Sequence, residues 1–334
     1  MHEAKYYRKK EEKQTECLLC PHNCIIKEGK RGVCKVRKNV KGTLYTENYG
    51  KVTGIGFDPI EKKPLYHFHP GEIILSVGSF GCNFKCRFCQ NWEISQSSID
   101  EISRYQTFTI EDIIKIATDR QDNIGIAYTY NEPAIYFEFM LDTAKEAKQS
   151  GLKNVMVTNG FINQEPLNEL TDYIDAFSVD LKAFTEDFYK KNTTGQLEPV
   201  KNTLKNIHEN GKFLEITNLV IPGLNDDKEK FQEMITWIAS EIGSNTVLHL
   251  SRYFPCYKSD IDSTPVSTLK EFYNMAKEKL PYTYLGNVAS VGGSDTFCDI
   301  CGAFLVSRRG YNTEPEGIDE EGKCIKCGNK VFIR

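Results

Sequence analysis

Short apolar segments of strand length alternate with amphipathic helical segments between residues 73 and 288. The predicted strands are Ile73–Phe80, Gly125–Tyr130, Asn154–Thr158, Ala176–Leu181, Phe213–Ile221 and Val247–Ser251, with Thr283–Val288 as a last candidate. The predicted helices are Ile110–Ala117, Ile135–Lys148, Leu167–Tyr173, Pro199–Glu209, Lys228–Ile242 and Val266–Lys279. This alternation is typical of a parallel sheet with outer helices, and six strands are fewer than the eight of a closed barrel. The sequence therefore predicts an α/β fold with a partial, open (β/α)6 barrel.

Cysteine-rich segments flank this barrel on both sides. We predict an N-terminal metal-binding segment at 1–70, the barrel at 71–290 and a zinc-ribbon-like module at 291–334. The polar and Gly-rich stretch 290–294 is the predicted linker into the last module.

The charge balance and the hydropathy pattern exclude several classes of protein. The net charge is −4, so no global basic field attracts nucleic acid or an anionic membrane. The first twenty residues are charged and lack the apolar core of a secretion signal, and no stretch approaches 18 apolar residues. The sequence predicts a cytoplasmic protein without membrane or nucleic-acid partners.

Eleven of the twelve cysteines fall into three groups, and Cys256 stands alone. The groups are Cys17, Cys20, Cys24 and Cys34; Cys82, Cys86 and Cys89; and Cys298, Cys301, Cys324 and Cys327. Such spacing is typical of metal ligands in a reducing cell rather than of disulfides.

The middle group, Cys82, Cys86 and Cys89, has the spacing C-x3-C-x2-C. Three thiolates can ligate three irons of a [4Fe–4S] cluster, and no fourth cysteine follows until Cys256. The open iron could chelate S-adenosylmethionine (SAM), whose reductive cleavage yields a 5′-deoxyadenosyl radical. We expect the ring of Phe88 to lie against the adenine. The alternative is a zinc or redox-inert cysteine cluster.

Polar residues follow the predicted strands, and the carboxyl ends of parallel strands meet at one rim of a barrel. We predict SAM-binding roles for Asn131, Glu132, Asn159, Asp180 and Lys182. The alternative for Asp180 and Lys182 is a pair at a helix entry, and for Asn159 a simple turn with the glycine that follows it.

The cysteine loop resembles the signature of the radical SAM superfamily, including the aromatic residue before the third cysteine. The motifs 131–133, 158–160 and 180–182 are similar to those of the pyruvate formate-lyase activating enzymes. This chain differs from them at Val157, where they carry Asp, at Tyr130 and Asn131, where they carry two glycines, and at Arg252-Tyr253, near a family His.

Nearly the full chain is similar to the radical SAM proteins of the AmmeMemoRadiSam system. The similarity rests on the runs 17–24, 58–68 and 81–93 and on the final cysteine pairs. It implies a partial barrel, a cluster that binds SAM and no settled substrate.

The last four cysteines form two C-x2-C-G knuckles, Cys298/Cys301 and Cys324/Cys327. Four thiolates with no open position favour one structural zinc, and a second iron–sulfur cluster is the alternative. Arg308 and Arg309 lie between the knuckles, where they are either surface residues or contacts to RNA or an acidic partner.

The first four cysteines, Cys17, Cys20, Cys24 and Cys34, form a further tetrathiolate set, for which zinc and a second [4Fe–4S] cluster both remain open. Although His22 could replace one thiolate, we favour ligation by cysteine alone. His67 and His69 are either plain loop contacts or residues of the barrel mouth. Cys256 is either an inert thiol or a residue that faces the substrate.

We therefore predict a radical SAM enzyme that abstracts hydrogen from an unidentified, possibly protein, substrate. It requires a low-potential electron donor of the flavodoxin or ferredoxin type. The alternatives are a radical SAM enzyme that modifies RNA and a non-catalytic iron–sulfur and zinc scaffold protein.

Overall fold

The central element of the computed structural model, which describes residues 1–288 and 292–334, is a sheet with seven parallel strands. All six predicted strands and the last candidate are present. The strands are β2 (Ile73–Gly78), β3 (Asn123–Tyr128), β4 (Lys153–Thr158), β5 (Ala176–Asp180), β6 (Phe213–Val220), β7 (Val247–Arg252) and β8 (Thr283–Gly286).

An eighth strand, β1 (Gly54–Pro59), pairs antiparallel with β2, so that Gly54 lies opposite Gly78. The sequence analysis missed β1 because two glycines within three residues interrupt its apolar pattern. The strand order is β8-β7-β6-β5-β4-β3-β2-β1, and within the described residues β1 and β8 each pair with one neighbour only. The sheet is therefore open, as predicted.

The six predicted helices are present and follow the strands in the predicted order; two short helices, Trp92–Ser95 and Glu186–Phe188, also occur among the described residues. The six predicted helices are α1 (Ile110–Asp119), α2 (Phe137–Gln149), α3 (Gln164–Thr171), α4 (Leu197–Glu209), α5 (Lys228–Glu241) and α6 (Val266–Lys277). Thr109 caps α1 as predicted, in a capping box with Asp112. Helix α2 packs on β3 and β4, α4 on β6, and α6 on β7 and β8. No helix in the described ranges is long and apolar enough to cross a membrane.

The N-terminal segment forms small antiparallel sheets. One contains His2–Glu3, Thr43–Thr46 and Arg37–Val40, and another contains Tyr7–Lys9, Thr15–Cys17 and Ile25–Ile26. Because β1 lies within residues 1–70 and joins the central sheet, this segment is continuous with the barrel. The predicted division at residue 70 stays a prediction.

The C-terminal module forms a small sheet of Thr296–Phe297, Phe304–Arg309 and Asn312–Glu314. Its last residues contact the chain that precedes β2: Ile333 N donates to His67 O at 2.8 Å, and His69 N donates to Ile333 O at 2.7 Å. The predicted domain boundary at 290/291 lies outside the described residues, as does the start of the predicted linker 290–294.

A buried polar network occupies the amino end of the barrel. Glu215 of β6 accepts hydrogen bonds from His249 Nε2 of β7 at 2.6 Å and from the backbone N of His67 at 2.7 Å. His67 Nε2 lies 2.5 Å from the hydroxyl of Tyr284 of β8. His67 therefore lies at the end of the barrel opposite the cysteine loop, so of the two alternatives the one in which it reaches the mouth is wrong.

Candidate active site

The loop after β2 carries Cys82, Cys86 and Cys89 at the carboxyl edge of the sheet. Cys82 and Cys86 are buried, and Cys89 is partly exposed. The backbone N of Phe84 lies 3.3 Å from Cys82 Sγ, and Asn159 Nδ2 lies 3.8 Å from the same sulfur. Because N–H groups directed at a thiolate stabilise its negative charge, this loop fits the ligands of an iron–sulfur cluster.

The cysteine loop is held by the single wide turn Tyr189–Thr193, which follows β5. Lys85 N donates to Thr193 O at 2.7 Å, and Arg87 N donates to Asn192 O at 3.1 Å. These two hydrogen bonds fix the backbone on both sides of Cys86, so the loop is ordered by its neighbours as well as by any bound metal.

Glu132 is buried and connects the ends of β3 and β4. Its carboxylate accepts hydrogen bonds from Thr158 Oγ1 at 2.7 Å, Asn159 N at 2.8 Å and Ala134 N at 3.0 Å. Burial raises the pKa of Glu132 to about 7, although these hydrogen bonds oppose the shift. The carboxylate thus fixes the relative position of two strand ends.

The side-chain amides of Asn131 and Asn159 form hydrogen bonds with neighbouring parts of the chain. Asn131 Oδ1 accepts from Ser79 N, and its Nδ2 donates to Gly81 O, each at 2.9 Å. Asn159 Nδ2 donates to Asn83 Oδ1 at 2.9 Å in addition to its contact with Cys82. Both side chains therefore position the cysteine loop.

Asp180 and Lys182 form an ion pair at the end of β5, with Lys182 Nζ 2.8 Å from Asp180 Oδ2. Burial lowers the pKa of Lys182, but Asp180 and the nearby Cys86 thiol outweigh it and hold that pKa above its usual value. A cation beside Cys86 suits a cluster ligated by anionic thiolates, and it also suits an anionic group of a cofactor.

The ring of Phe88 is buried, and its centroid lies 5.9 Å from that of Phe188. Phe88 therefore lies in an aromatic environment next to Cys89. Its predicted contact with adenine stays a prediction.

A segment after β7, residues 253–259, contacts the cysteine loop; the sequence analysis had named Tyr253 and, as one of two alternatives, Cys256, but not residues 257–259. Cys256 Sγ lies 3.6 Å from Cys89 O, and Lys258 N donates to Arg87 O at 2.9 Å. The rings of Trp92 and Tyr257 stack with centroids 5.1 Å apart. The position of the segment directly after a barrel strand was the available signal.

The four C-terminal cysteines converge on one point. Their sulfurs all lie within 4.8 Å of one another, a property that no other group of three or more possible ligands has in residues 1–288 and 292–334. Gly302 and Gly328 have φ values of 69° and 76°, so each knuckle turns through a glycine, as the sequence indicated. Arg308 lies between the knuckles and is 1% exposed, so it is not a surface residue.

The four N-terminal cysteines, Cys17, Cys20, Cys24 and Cys34, line one small cavity. His22 also lines this cavity, but its Nε2 lies 2.8 Å from Asn83 O. The preference for ligation by cysteine alone stays a prediction.

Comparisons with known proteins agree with this geometry. The radical SAM superfamily matches residues 76–238. An uncharacterized protein of Methanocaldococcus jannaschii is 45% identical over 100% of this chain and 99% of its own length. The pyruvate formate-lyase-activating enzyme of Clostridium pasteurianum is 23% identical over 46% of this chain and 64% of that enzyme. A radical SAM methyltransferase from Sphaerobacter thermophilus has a similar fold, with a TM-score of 0.52, 15% identity and 71% of each chain covered.

The chain therefore contains a domain of the radical SAM superfamily, residues 76–238. It is therefore an enzyme, and the alternative of a non-catalytic scaffold protein is wrong. Membership implies a [4Fe–4S] cluster and SAM as cofactors. The narrower assignment to the AmmeMemoRadiSam system stays a prediction.

Proposed function

We propose that Cys82, Cys86 and Cys89 hold the [4Fe–4S] cluster of this radical SAM enzyme and that SAM binds at the open iron beside Lys182. The observation that carries the proposal is that three thiols, two N–H donors to Cys82 and the Lys182 ammonium lie at one edge of the sheet. When bound, the cluster and SAM supply a 5′-deoxyadenosyl radical that abstracts hydrogen from a C–H bond.

The residues around these thiols have two kinds of role in the proposal. Lys182 binds the carboxylate of SAM, Asp180 accepts a hydrogen bond from its amine or a hydroxyl, and Phe88 contacts the adenine. The side chains of Asn131, Glu132 and Asn159 hold the backbone that faces SAM, because their polar atoms contact the loop and the strand ends.

Removal of all three cysteines tests the assignment. The variant Cys82→Ala/Cys86→Ala/Cys89→Ala, incubated anaerobically with SAM and a reductant, should form no 5′-deoxyadenosine, while its zinc content should match that of the wild type. The double variant Cys324→Ala/Cys327→Ala is the matched control for loss of cysteines and should retain SAM cleavage. Normal 5′-deoxyadenosine formation by the triple variant would contradict the proposal.

We propose that the substrate is a protein. We also propose that a low-potential donor of the flavodoxin or ferredoxin type supplies the electron that reduces the cluster. Similarity to an enzyme that activates pyruvate formate-lyase supports a macromolecular target, and an open sheet leaves a lateral approach to the site. The burial of Arg308 and the net charge of −4 disfavour the RNA alternative.

Deuterium transfer distinguishes the substrate classes. Extract from cells grown on deuterated medium is divided by size filtration, and each fraction is added to enzyme, SAM and reductant. With the undigested high-mass fraction, deuterium should appear in 5′-deoxyadenosine. If that fraction is first digested with protease, the deuterium should no longer appear. Label that arises from the low-mass fraction alone would exclude a protein substrate.

We further propose that Cys298, Cys301, Cys324 and Cys327 bind one structural zinc. Zn–S bonds of about 2.3 Å place tetrahedral sulfurs about 3.8 Å apart, and Cys298–Cys327 and Cys301–Cys324 are separated by 3.6 and 3.7 Å. Metal analysis of the full chain should find about one zinc that Cys324→Ala/Cys327→Ala removes. Iron lost with these two cysteines would indicate a cluster instead.

A further inference from the structure

The small cavity lined by Cys17, Cys20, Cys24 and Cys34 has mostly apolar walls. Its other lining residues include Leu19, Ile26, Val33 and Ile135. Cys17, Cys20 and Cys34 are buried, and Cys24 is partly exposed. Four thiols that share an apolar cavity are a metal-binding arrangement, because burial of thiolates without a cation is costly.

The spacing of these sulfurs differs from that of the proposed zinc site. Among the described residues, no three of these sulfurs lie within 4.8 Å of one another, whereas the four C-terminal sulfurs do. The same wider spacing occurs in the Cys82, Cys86 and Cys89 loop. One zinc draws four sulfurs into a tight tetrahedron, but the thiolates of a cubane each bind a different iron and so lie farther apart.

We propose that Cys17, Cys20, Cys24 and Cys34 hold a second [4Fe–4S] cluster. The spacing of the sulfurs suits a cluster better than a single zinc ion. All four irons have a thiolate ligand in this arrangement, so the cluster has no open position for SAM.

Arg37 provides an independent observation at the same cavity. It lines the cavity and is 1% exposed. Its Nη2 donates to Glu138 Oε1 at 2.6 Å, and its Nη1 donates to Lys5 O at 2.9 Å. Its Nε has no hydrogen-bond partner among the described residues. A buried guanidinium with a free N–H balances the negative charge of a tetrathiolate cluster and can donate to its sulfur atoms.

The segment that would hold the second cluster contacts the loop that carries Cys82 and its neighbours. Asn163 N donates to Leu19 O at 3.1 Å, and His22 Nε2 lies 2.8 Å from Asn83 O. Gly81 has a φ of 84°, and a Cβ atom there would lie 2.7 Å from Cys34 O. The ligand segments of both clusters therefore contact each other through backbone atoms, and the N-terminal set supports the loop that carries the SAM cluster.

The triple variant Cys82→Ala/Cys86→Ala/Cys89→Ala tests this proposal without changing the N-terminal set. Full-length wild type and variant are reconstituted anaerobically with iron and sulfide, and iron, sulfide and zinc are measured together with Mössbauer spectra. The variant should retain about half of the wild-type iron, with the signature of a [4Fe–4S] cluster. Complete loss of iron from the variant, with zinc or no metal at the N-terminal set, would overturn the proposal.

Two further variants locate the iron. Cys20→Ala/Cys24→Ala should lose about half of the wild-type iron and keep its zinc, while Cys324→Ala/Cys327→Ala should keep all of its iron. If removal of Cys20 and Cys24 prevents folding, the iron content of the triple variant still decides. Because these readouts do not require SAM cleavage, the proposal stands or falls independently of the proposed function. Unchanged iron in a folded Cys20→Ala/Cys24→Ala variant would contradict it.

Discussion

Lys182 and Asp180 differ from the other residues predicted to bind SAM, because their charged groups remain close to the thiols. The Lys182 ammonium contacts Asp180 at 2.8 Å and lies near Cys86. By contrast, Glu132 accepts three hydrogen bonds from the ends of β3 and β4. The residues predicted to bind SAM therefore fall into two kinds. Asp180 and Lys182 place charged groups beside the thiols. The others form hydrogen bonds that hold the strand ends and the cysteine loop in place.

We expect Lys182→Ala to weaken SAM binding by roughly 1.5–3 kcal/mol, because it removes a hydrogen bond to a charged group. Equilibrium binding of SAM to the reconstituted enzyme under anaerobic conditions measures the change. Lys191 is the control, since its side chain is 72% exposed and Lys191→Ala should leave the affinity unchanged. An unchanged affinity of Lys182→Ala combined with a lower melting temperature would mean that the ion pair only stabilises the fold.

At the same scale, Cys256 lies close enough to the cysteine loop to be tested as a ligand. Its Sγ contacts the carbonyl oxygen of Cys89 and not a sulfur. We expect Cys256→Ala to retain the iron content of the wild type, because three thiolates from the loop suffice to hold the cluster. Loss of cluster iron from this variant, measured by iron analysis and absorption spectroscopy, would show that Cys256 ligates the fourth iron.

At the scale of elements, the turn Tyr189–Thr193 and the residues after it pack against the cysteine loop. A Cβ atom at Gly195 would lie 2.2 Å from the ring of Phe84, which stands between Cys82 and Cys86 in sequence. Phe84 also packs against Phe161, with ring centroids 5.0 Å apart. The position therefore requires glycine because the ring approaches the backbone closely.

We expect Gly195→Ala to destabilise the protein by about 1–3 kcal/mol through overpacking and to lower the occupancy of the SAM cluster. Gly56→Ala in β1 is the matched control, since nothing lies within 4 Å of its Cβ position. Denaturant unfolding and iron analysis of both variants measure the two effects. Equal stability and equal iron content in the two variants would contradict the expectation.

The sequence was sufficient for elements with strong local patterns. All six predicted helices form, and β2 to β8 occur where apolar runs are bounded by turn residues. It was insufficient for β1, whose glycines weaken the pattern, and for His67, whose partners Glu215 and Tyr284 are distant in the chain. The cysteine spacing predicted the convergence of the four C-terminal sulfurs, whereas the contact between Cys256 and the cysteine loop depends on folding of the whole barrel.

Across the whole molecule, the two cysteine-rich modules occupy opposite ends of the barrel. The N-terminal set lies behind the loop at the carboxyl edge, where His22 contacts Asn83. The C-terminal module covers the amino end, where Arg308 stacks 4.2 Å from the ring of Tyr66 and donates to its carbonyl oxygen. The N-terminal module therefore contacts the cysteine loop, and the C-terminal module covers the amino end of the sheet.

We expect His67 to make the stability of the packing at the amino end of the barrel depend on pH. Burial lowers the pKa of His67 from 6.5 to about 3. The unfolded chain therefore binds a proton that the folded chain does not, so the contribution of His67 is fully present above pH 6.5 and is lost as the pH falls toward 3. The free energy of unfolding should fall by roughly 1 kcal/mol between pH 7.5 and 5.5 from this group alone.

Urea unfolding of wild type, His67→Gln and His208→Gln at both pH values measures this effect. His208 is exposed near the end of α4, so its replacement should leave the pH dependence as in the wild type. His67→Gln should have a smaller difference between the two pH values. The same difference in all three proteins would exclude His67 as the group responsible.

The segment 253–259 lies beside Cys89, next to the site at which we propose that a protein substrate reacts. One backbone hydrogen bond, Lys258 to Arg87, and the stacked rings of Trp92 and Tyr257 connect it to the cysteine loop. Trp92 is 39% exposed, so its ring contact lies at the surface and can separate while Tyr253, which is 1% exposed, stays in the core. A substrate that must wait for the separation binds no faster than the segment opens, and the observed association rate should level off as substrate concentration rises.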